Sequence, residues 1–230
     1  MNSLKLNYGD LENTVVQWIA ETGNLDRVLC IDLETKVLDG QFVTGERILA
    51  VSLGYIHDGN IESRVIVLRK DDDSSELELL HEFDKFLLEV RPLVLIGFNL
   101  TGYDIPLLNM KLRKYREDKF WGIADALGRC YVLDMKHPIR FELAKFSGSP
   151  KFVSLRDVVN HQRFASLPLM RSKNVLTSDN KGQEIFELWK RNGSIFKDYA
   201  EGDARDVLLI FLNMFNLNTR NIGISQGVNE

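Results

Sequence analysis

The sequence predicts a mixed α/β domain. Its 230 residues suffice for one large domain or two small ones, and 44% of them are hydrophobic, which is enough to build a core. Five short apolar runs have the composition of buried strands, and the segments around them carry apolar residues at helical spacing. Because no internal repeat or long linker divides the chain, we expect these elements to form one domain.

The first half of this domain is predicted to contain three antiparallel strands. A helix from about Asp10, its predicted N-cap, to Gly23 precedes them. Asp58-Gly59 separates the second strand from the third, and this dipeptide is a strong hairpin signal. The three strands are expected at residues 27–33, 47–56 and 63–68.

Helices alternate with the two remaining strands. After the third strand, helical spacing returns at residues 77–88, where Ser74 or Ser75 is the expected cap. The two strands are predicted at residues 93–98 and 131–135. Further helices are expected at residues 105–114, 154–161, 182–191 and 196–217, with a loop at 164–181.

The composition excludes several classes of protein. Cys30 and Cys130 are too few for a disulfide framework or a structural zinc site, and their apolar surroundings predict buried, reduced thiols. The first ten residues lack the apolar core of a signal peptide, and no apolar run approaches the roughly 20 residues of a membrane span. We therefore expect a cytoplasmic protein without a membrane partner.

The charge is distributed unevenly along the chain. The formal net charge is -4, but residues 1–104 carry 9 basic and 19 acidic side chains, whereas residues 105–230 carry 20 and 14. Basic residues concentrate at 111–119 and 136–163. A basic half joined to an acidic half fits a protein that holds a polyanion on one side, although a solvated helix surface would explain either basic segment.

Carboxylates fall at the ends of predicted strands. Asp32 and Glu34 are two residues apart in an apolar strand, so they point to the same face and repel each other unless a proton or cation lies between them. Asp104 follows the fourth strand at the mouth of a helix. Glu34 could instead lie in a solvated loop, and Asp104 could simply cap its helix.

A third acidic segment lies in the last helix. Tyr199 and Asp203 are four residues apart and share a helix face, although a surface carboxylate beside a partly buried tyrosine would also explain the pair on its own. Three segments could thus bring carboxylates to one edge of the sheet. Oxygen ligands without histidine or cysteine select Mg²⁺ or Mn²⁺, and two such ions about 3.5–4 Å apart form the clamp used for phosphodiester cleavage.

The motifs resemble those of the DEDD superfamily of 3′–5′ exonucleases, in the branch whose last motif carries tyrosine. They follow one another as Asp32-x-Glu34, Asn99-x3-Tyr103-Asp104 and Tyr199-x3-Asp203. The closest likeness is to the proofreading exonuclease domain of family-B DNA polymerases and its stand-alone relatives, over about residues 27–215. The resemblance implies an RNase H-like fold, which is a mixed five-stranded sheet (three antiparallel strands, then two parallel) flanked by helices.

The resemblance also implies residue roles. Two ions, Mg²⁺ or Mn²⁺, would be held by four acids, and Tyr199 would orient the attacking water. Asp206 would not be the catalytic aspartate, because the branch that pairs it with histidine needs that histidine at position 201, which is glutamate. The implied metal ligands are Asp32, Glu34, Asp104 and Asp203, and the expected contacts to the substrate are Leu33, Thr35, Asn99 and Tyr103.

The expected activity is removal of nucleotides from the 3′ end of single-stranded DNA, with a polymerase or repair protein as partner. An exoribonuclease of the same fold and a non-catalytic nucleic-acid-binding or polymerase-accessory module remain alternatives. We divide the chain into an N-terminal helical extension (residues 1–24), the exonuclease domain (25–218) and a C-terminal tail (219–230).

Overall fold

The computed structural model describes residues 8–36, 46–148, 153–171, 176 and 181–217, and five strands in these residues form a mixed sheet. The strands are β1 (Val28–Lys36), β2 (Arg47–His57), β3 (Asn60–Val67), β4 (Val94–Gly97) and β5 (Tyr131–Asp134). In the order β3-β2-β1-β4-β5, the first three strands pair antiparallel, and β4 and β5 are parallel to β1. The predicted fold class is confirmed.

Helices lie on both faces of the sheet. They are α1 (Tyr8–Thr22), α2 (Asp73–Val90), α3 (Asp104–Lys114), α4 (Trp121–Arg129), α5 (Lys136–Ser147), α6 (Leu155–Val159), α7 (Lys181–Arg191) and α8 (Gly193–Met214). The sequence pattern predicted six of them and missed α4 and α5. No helix among the described residues has both the length and the hydropathy needed to cross a bilayer.

Two predicted helix starts are wrong. α1 begins at Tyr8, so Asp10 lies inside the helix rather than at its cap. The cap of α2 is Asp72, whose carboxylate accepts a hydrogen bond of 2.8 Å from the backbone N–H of Ser75. Parts of the predicted loop at 164–181 and the whole predicted tail at 219–230 lie outside the described residues.

The sheet separates two hydrophobic cores, and β1 contributes to both. Leu29, Ile31 and Leu33 are buried in the core that includes α2, α3 and α7. Val28 and Cys30 are buried in the opposite core, which includes α1 and most of α8. Because side chains alternate along a strand, Asp32 and Glu34 continue the face of Val28 and Cys30.

α8 lies directly on β2 because of a glycine. A Cβ atom added at Gly54 would lie 2.8 Å from the carbonyl oxygen of Ala204, which is too close for any larger residue without a backbone shift. This close approach fixes the part of α8 that carries Asp203 above the sheet. Both cysteines are free, and Cys30 is buried as predicted whereas Cys130 is only partly buried.

Candidate active site

The first two carboxylates lie near the end of β1. Glu34 is 4% exposed and Asp32 is partly exposed, and both belong to the strand. The pairing of β1 with β2 changes register between Glu34 and Thr35, so the strand is regular through the second acid. Glu34 is thus a buried strand residue, and its assignment to a solvated loop is wrong.

α8 brings a third carboxylate to this pair. Asp203 is 1% exposed, and its carboxylate lies with those of Asp32 and Glu34 such that one oxygen of each is within 4.8 Å of the others. Tyr199 lies one turn earlier on the same helix and is 2% exposed. The alternative of a surface carboxylate beside a tyrosine is therefore wrong.

Asp104 reaches the end of β1 from α3. It is the first residue of α3, and Tyr103 occupies the N-cap position, so Asp104 is not the cap. Its carboxylate accepts a 2.9 Å hydrogen bond from the backbone N–H of Leu33, the residue between the two acids of β1. Burial first, and then the charge of Asp32, raises the pKa of Asp104 well above its usual range. Asp104 thus belongs to the same acidic neighbourhood.

The loop after β4 is held by a carboxylate that sequence reasoning did not assign. Asp134, at the end of β5, accepts hydrogen bonds from the backbone N–H groups of Asn99 (2.9 Å) and Thr101 (3.0 Å). Asn99 adopts a left-handed backbone with φ of 67°, and its side-chain oxygen accepts a 2.8 Å hydrogen bond from Nζ of Lys136. The strand-end position of Asp134, like that of Asp104, was the signal that could have identified it.

Thr35 and Tyr103 contact each other at the edge of the site. Their hydroxyls share a hydrogen bond of 2.5 Å, and Thr35 donates its own proton to a carboxylate oxygen of Glu46 at 2.8 Å. Tyr103 is therefore the donor to Thr35. The side chain of Leu33, in contrast, is 5% exposed within the core, so only its backbone reaches the site.

Comparison with known proteins identifies the family. No curated protein sequence matches this chain. The profile of one protein family, described as DNA polymerase family B, exonuclease domain, matches residues 10–137, which is more than half of the chain. The chain belongs to this exonuclease-domain family. It is a family-B-type 3′–5′ exonuclease domain.

The fold agrees with that family. The exonuclease domain is similar in structure to the family B DNA polymerase from the hyperthermophilic archaeon Pyrobaculum calidifontis, with a TM-score of 0.58 and 19% sequence identity. The similarity covers 81% of this chain and 24% of the polymerase, so the chain spans about a quarter of that protein's length.

Asp206 of this exonuclease domain binds backbone groups outside the acidic cluster. Its two carboxylate oxygens accept hydrogen bonds from the backbone N–H groups of Met170 (2.8 Å) and Arg171 (3.0 Å). Burial raises the pKa of Asp206 to about 6, and these hydrogen bonds oppose the rise. The carboxylate thus fastens the segment at 170–171 to α8 and does not belong to the cluster of three acids.

Two lysines of the basic segment 111–119 form ion pairs with acidic side chains of α2. Lys111 is 5% exposed, and its Nζ lies 2.6 Å from a carboxylate oxygen of the buried Glu76. Lys114 binds the same carboxylate at 3.3 Å and Asp73 at 2.8 Å. Lys111 is therefore not available to a nucleic-acid backbone, because its ammonium group is buried in an ion pair.

Proposed function

We propose that this exonuclease domain is an active, metal-dependent enzyme that releases nucleotides from the 3′ end of single-stranded DNA. The observation that carries the proposal is the meeting of Asp32, Glu34 and Asp203 within 4.8 Å, with Tyr199 buried one helical turn from Asp203. Three converging carboxylates repel one another strongly in a protein interior. A binding module would gain nothing from that repulsion. A cation site, in contrast, needs the carboxylates to converge, and the bound cation offsets their repulsion.

The donor set fits a hard divalent cation. Oxygen ligands at this spacing are those that Mg²⁺ and Mn²⁺ prefer, and the cluster contains no histidine or cysteine. We infer that Asp32, Glu34 and Asp203 hold the cations and that Asp104, buried beside the backbone of Leu33, completes the set for a second ion. When bound, the ions would lower the pKa of the attacking water and neutralise charge on the leaving oxygen.

The chain's own groups would orient the reaction. Hydrolysis forms a bond between the water oxygen and the terminal phosphorus and breaks the bond from that phosphorus to the 3′ oxygen of the preceding nucleotide. The products are a nucleoside 5′-monophosphate and a shortened strand whose new 3′ oxygen takes up a proton. We infer that the hydroxyl of Tyr199 hydrogen-bonds to the water and aligns it with the phosphorus.

The terminal nucleotide would be held by the rim of the site. Asn99 is fixed by Asp134 and Lys136, and Thr35 and Tyr103 are fixed to each other, so these polar groups are preorganised before substrate binds. The backbone of Leu33 would complete the contact. DNA is proposed over RNA because the family is that of DNA polymerases. A cytoplasmic location, a polymerase or repair partner and the domain limits at residues 24 and 218 stay predictions.

A cleavage time course tests the proposal. The purified protein is incubated with one DNA strand labelled at its 3′ end or at its 5′ end, with Mn²⁺ or with EDTA, alongside an RNA strand of the same sequence. We expect the 3′ label to appear at once as mononucleotide, the 5′-labelled strand to shorten stepwise, and EDTA to stop both.

Two variants separate the site from contaminating nuclease. Asp32→Ala removes a predicted ligand and should abolish cleavage, whereas Asp26→Ala removes an exposed carboxylate just before β1 and should not. Metal-dependent cleavage that persists in Asp32→Ala would refute the proposal. Faster cleavage of the RNA strand would replace DNA by RNA as the substrate.

A further inference from the structure

One face of α5 carries cations and an exposed aromatic ring. Lys136, His137, Arg140 and Phe141 occupy positions within an arc of about 140° around the helix, and we call them the basic stripe. Phe141 is 61% exposed, and His137 is also exposed. An exposed phenylalanine among cations is the composition of surfaces that bind single-stranded nucleic acid.

The other faces of α5 have evident structural roles. Ile139 and Leu143 are buried in the core on the α8 side of the sheet. Glu142, the one acidic residue in the sequence of α5, accepts hydrogen bonds from Arg163 at 2.7 Å and from Lys145 at 2.5 Å. The acid thus lies off the basic stripe, and these contacts do not account for the exposure of Phe141.

The basic stripe begins at the candidate active site. Lys136 contacts Asn99 with its ammonium group, and its backbone N–H donates to the carboxylate of Asp134 at 3.1 Å. Phe141 is five residues further, roughly 8 Å along the helix axis. A strand whose 3′ end is held near Asn99 can therefore continue over this face.

We propose that the basic stripe binds the nucleotides that precede the terminal one, with a base stacked on the ring of Phe141. This inference rests on the proposed function. Lys136 and Arg140 would neutralise phosphates on the side of that base nearer the active site, because both positions precede Phe141 on the same face of α5. The negative charge of the strand complements a stripe that has no acid of its own.

Two substrates of different length test the proposal. A 20-nucleotide oligothymidylate is long enough to reach the basic stripe, whereas the p-nitrophenyl ester of thymidine 5′-monophosphate contains only one nucleotide and a leaving group. Phe141→Ala should raise the KM for the oligonucleotide on the order of tenfold, as expected for the loss of one stacked base, without a comparable change on the ester. Phe141→Trp, which keeps a stacking surface, should restore the oligonucleotide KM.

The matched control is Phe146→Ala on the same helix. Phe146 is 52% exposed but packs edge-on against His161, away from the stripe, so its removal should leave both substrates unaffected. Equal KM values for Phe141→Ala and the wild type would overturn the inference, as would equal losses on both substrates.

Binding in EDTA separates this inference from the proposed function. Anisotropy of a fluorescein-labelled oligothymidylate reports affinity without cleavage. If the wild type cleaves neither substrate, the proposed function is wrong, and binding that still weakens in Phe141→Ala would support the stripe alone. No binding by the wild type would overturn the inference too.

Discussion

Removal of one carboxylate from the cluster should stabilise the metal-free protein. One oxygen of each carboxylate lies within 4.8 Å of the other two, and at that limit two unit charges repel by about 3.5 kcal/mol at an effective dielectric constant of about 20. Asp203 faces two such charges, and solvent around the partly exposed Asp32 screens one of them, so we expect Asp203→Asn to raise the free energy of unfolding by about 2–4 kcal/mol. In a domain of this size that is a rise in Tm of about 5–10 °C.

Thermal melts with EDTA measure the stability of the metal-free protein, and melts with Mn²⁺ measure the stability gained from the ion. The wild type should gain stability with Mn²⁺, since a ligand that binds only the folded state stabilises it by mass action. Asp203→Asn should melt higher than the wild type in EDTA and gain little from Mn²⁺. The matched control is Asp198→Asn, which changes an exposed carboxylate of α8 and should alter neither value. A variant that melts lower in EDTA, or keeps the full Mn²⁺ response, would refute the reasoning.

Three further changes probe the neighbours of the cluster. Tyr199→Phe should leave the Mn²⁺ affinity unchanged and lower kcat on the order of a hundredfold, because it removes an orienting hydroxyl but no metal ligand. Titration with Mn²⁺ and single-turnover cleavage measure the two quantities. A loss of Mn²⁺ affinity would contradict the prediction. Because the pKa of Asp206 is raised to about 6, its carboxyl costs the fold stability as pH rises from about 4 to 6, by up to about 3 kcal/mol. Asp206→Asn should remove that loss, which melts in EDTA from pH 4 to 7 would show, whereas parallel pH profiles would disprove it. Lys111→Met should lower the free energy of unfolding by about 3 kcal/mol, because the carboxylate of Glu76 stays buried after losing one of its cationic partners. Denaturant unfolding measures this loss, and an unchanged midpoint would contradict the role of the buried ion pair.

The strands and the long helices were predictable because local pattern and tertiary packing agree. β4 and the first four residues of β1 are continuous apolar runs because they are buried on both faces, and α2 and α8 carry apolar residues at helical spacing. In each of these elements, the environment that the fold provides is the one the residues favour locally.

α4 was not predicted because the groups that stabilise its first turn lie on α2. Its second residue is Gly122, which lowers helix propensity but is required because a Cβ there would lie 2.2 Å from the carbonyl oxygen of Asp84. The side chain of Asp84 also accepts a 2.8 Å hydrogen bond from the backbone N–H of Ile123, so the first turn is capped from α2. The local sequence shows neither the reason for the glycine nor the cap.

α5 and the loop that it supports were missed for a similar reason. α5 buries only Ile139 and Leu143 and carries Pro138 in its first turn, so its periodic signal is short. Asp134 acts on backbone groups more than 30 residues away, and only the pairing of β4 with β5 brings them together. The acids at strand ends were predictable, but the groups that hold their loops were not.

Anomalous diffraction from a crystal grown with Mn²⁺ would test the central claim most directly. We predict manganese peaks among the carboxylates of Asp32, Glu34 and Asp203, at the roughly 2.0–2.2 Å typical of small divalent cations and oxygen ligands. Manganese bound only elsewhere, with these three carboxylates left without an ion, would contradict the account.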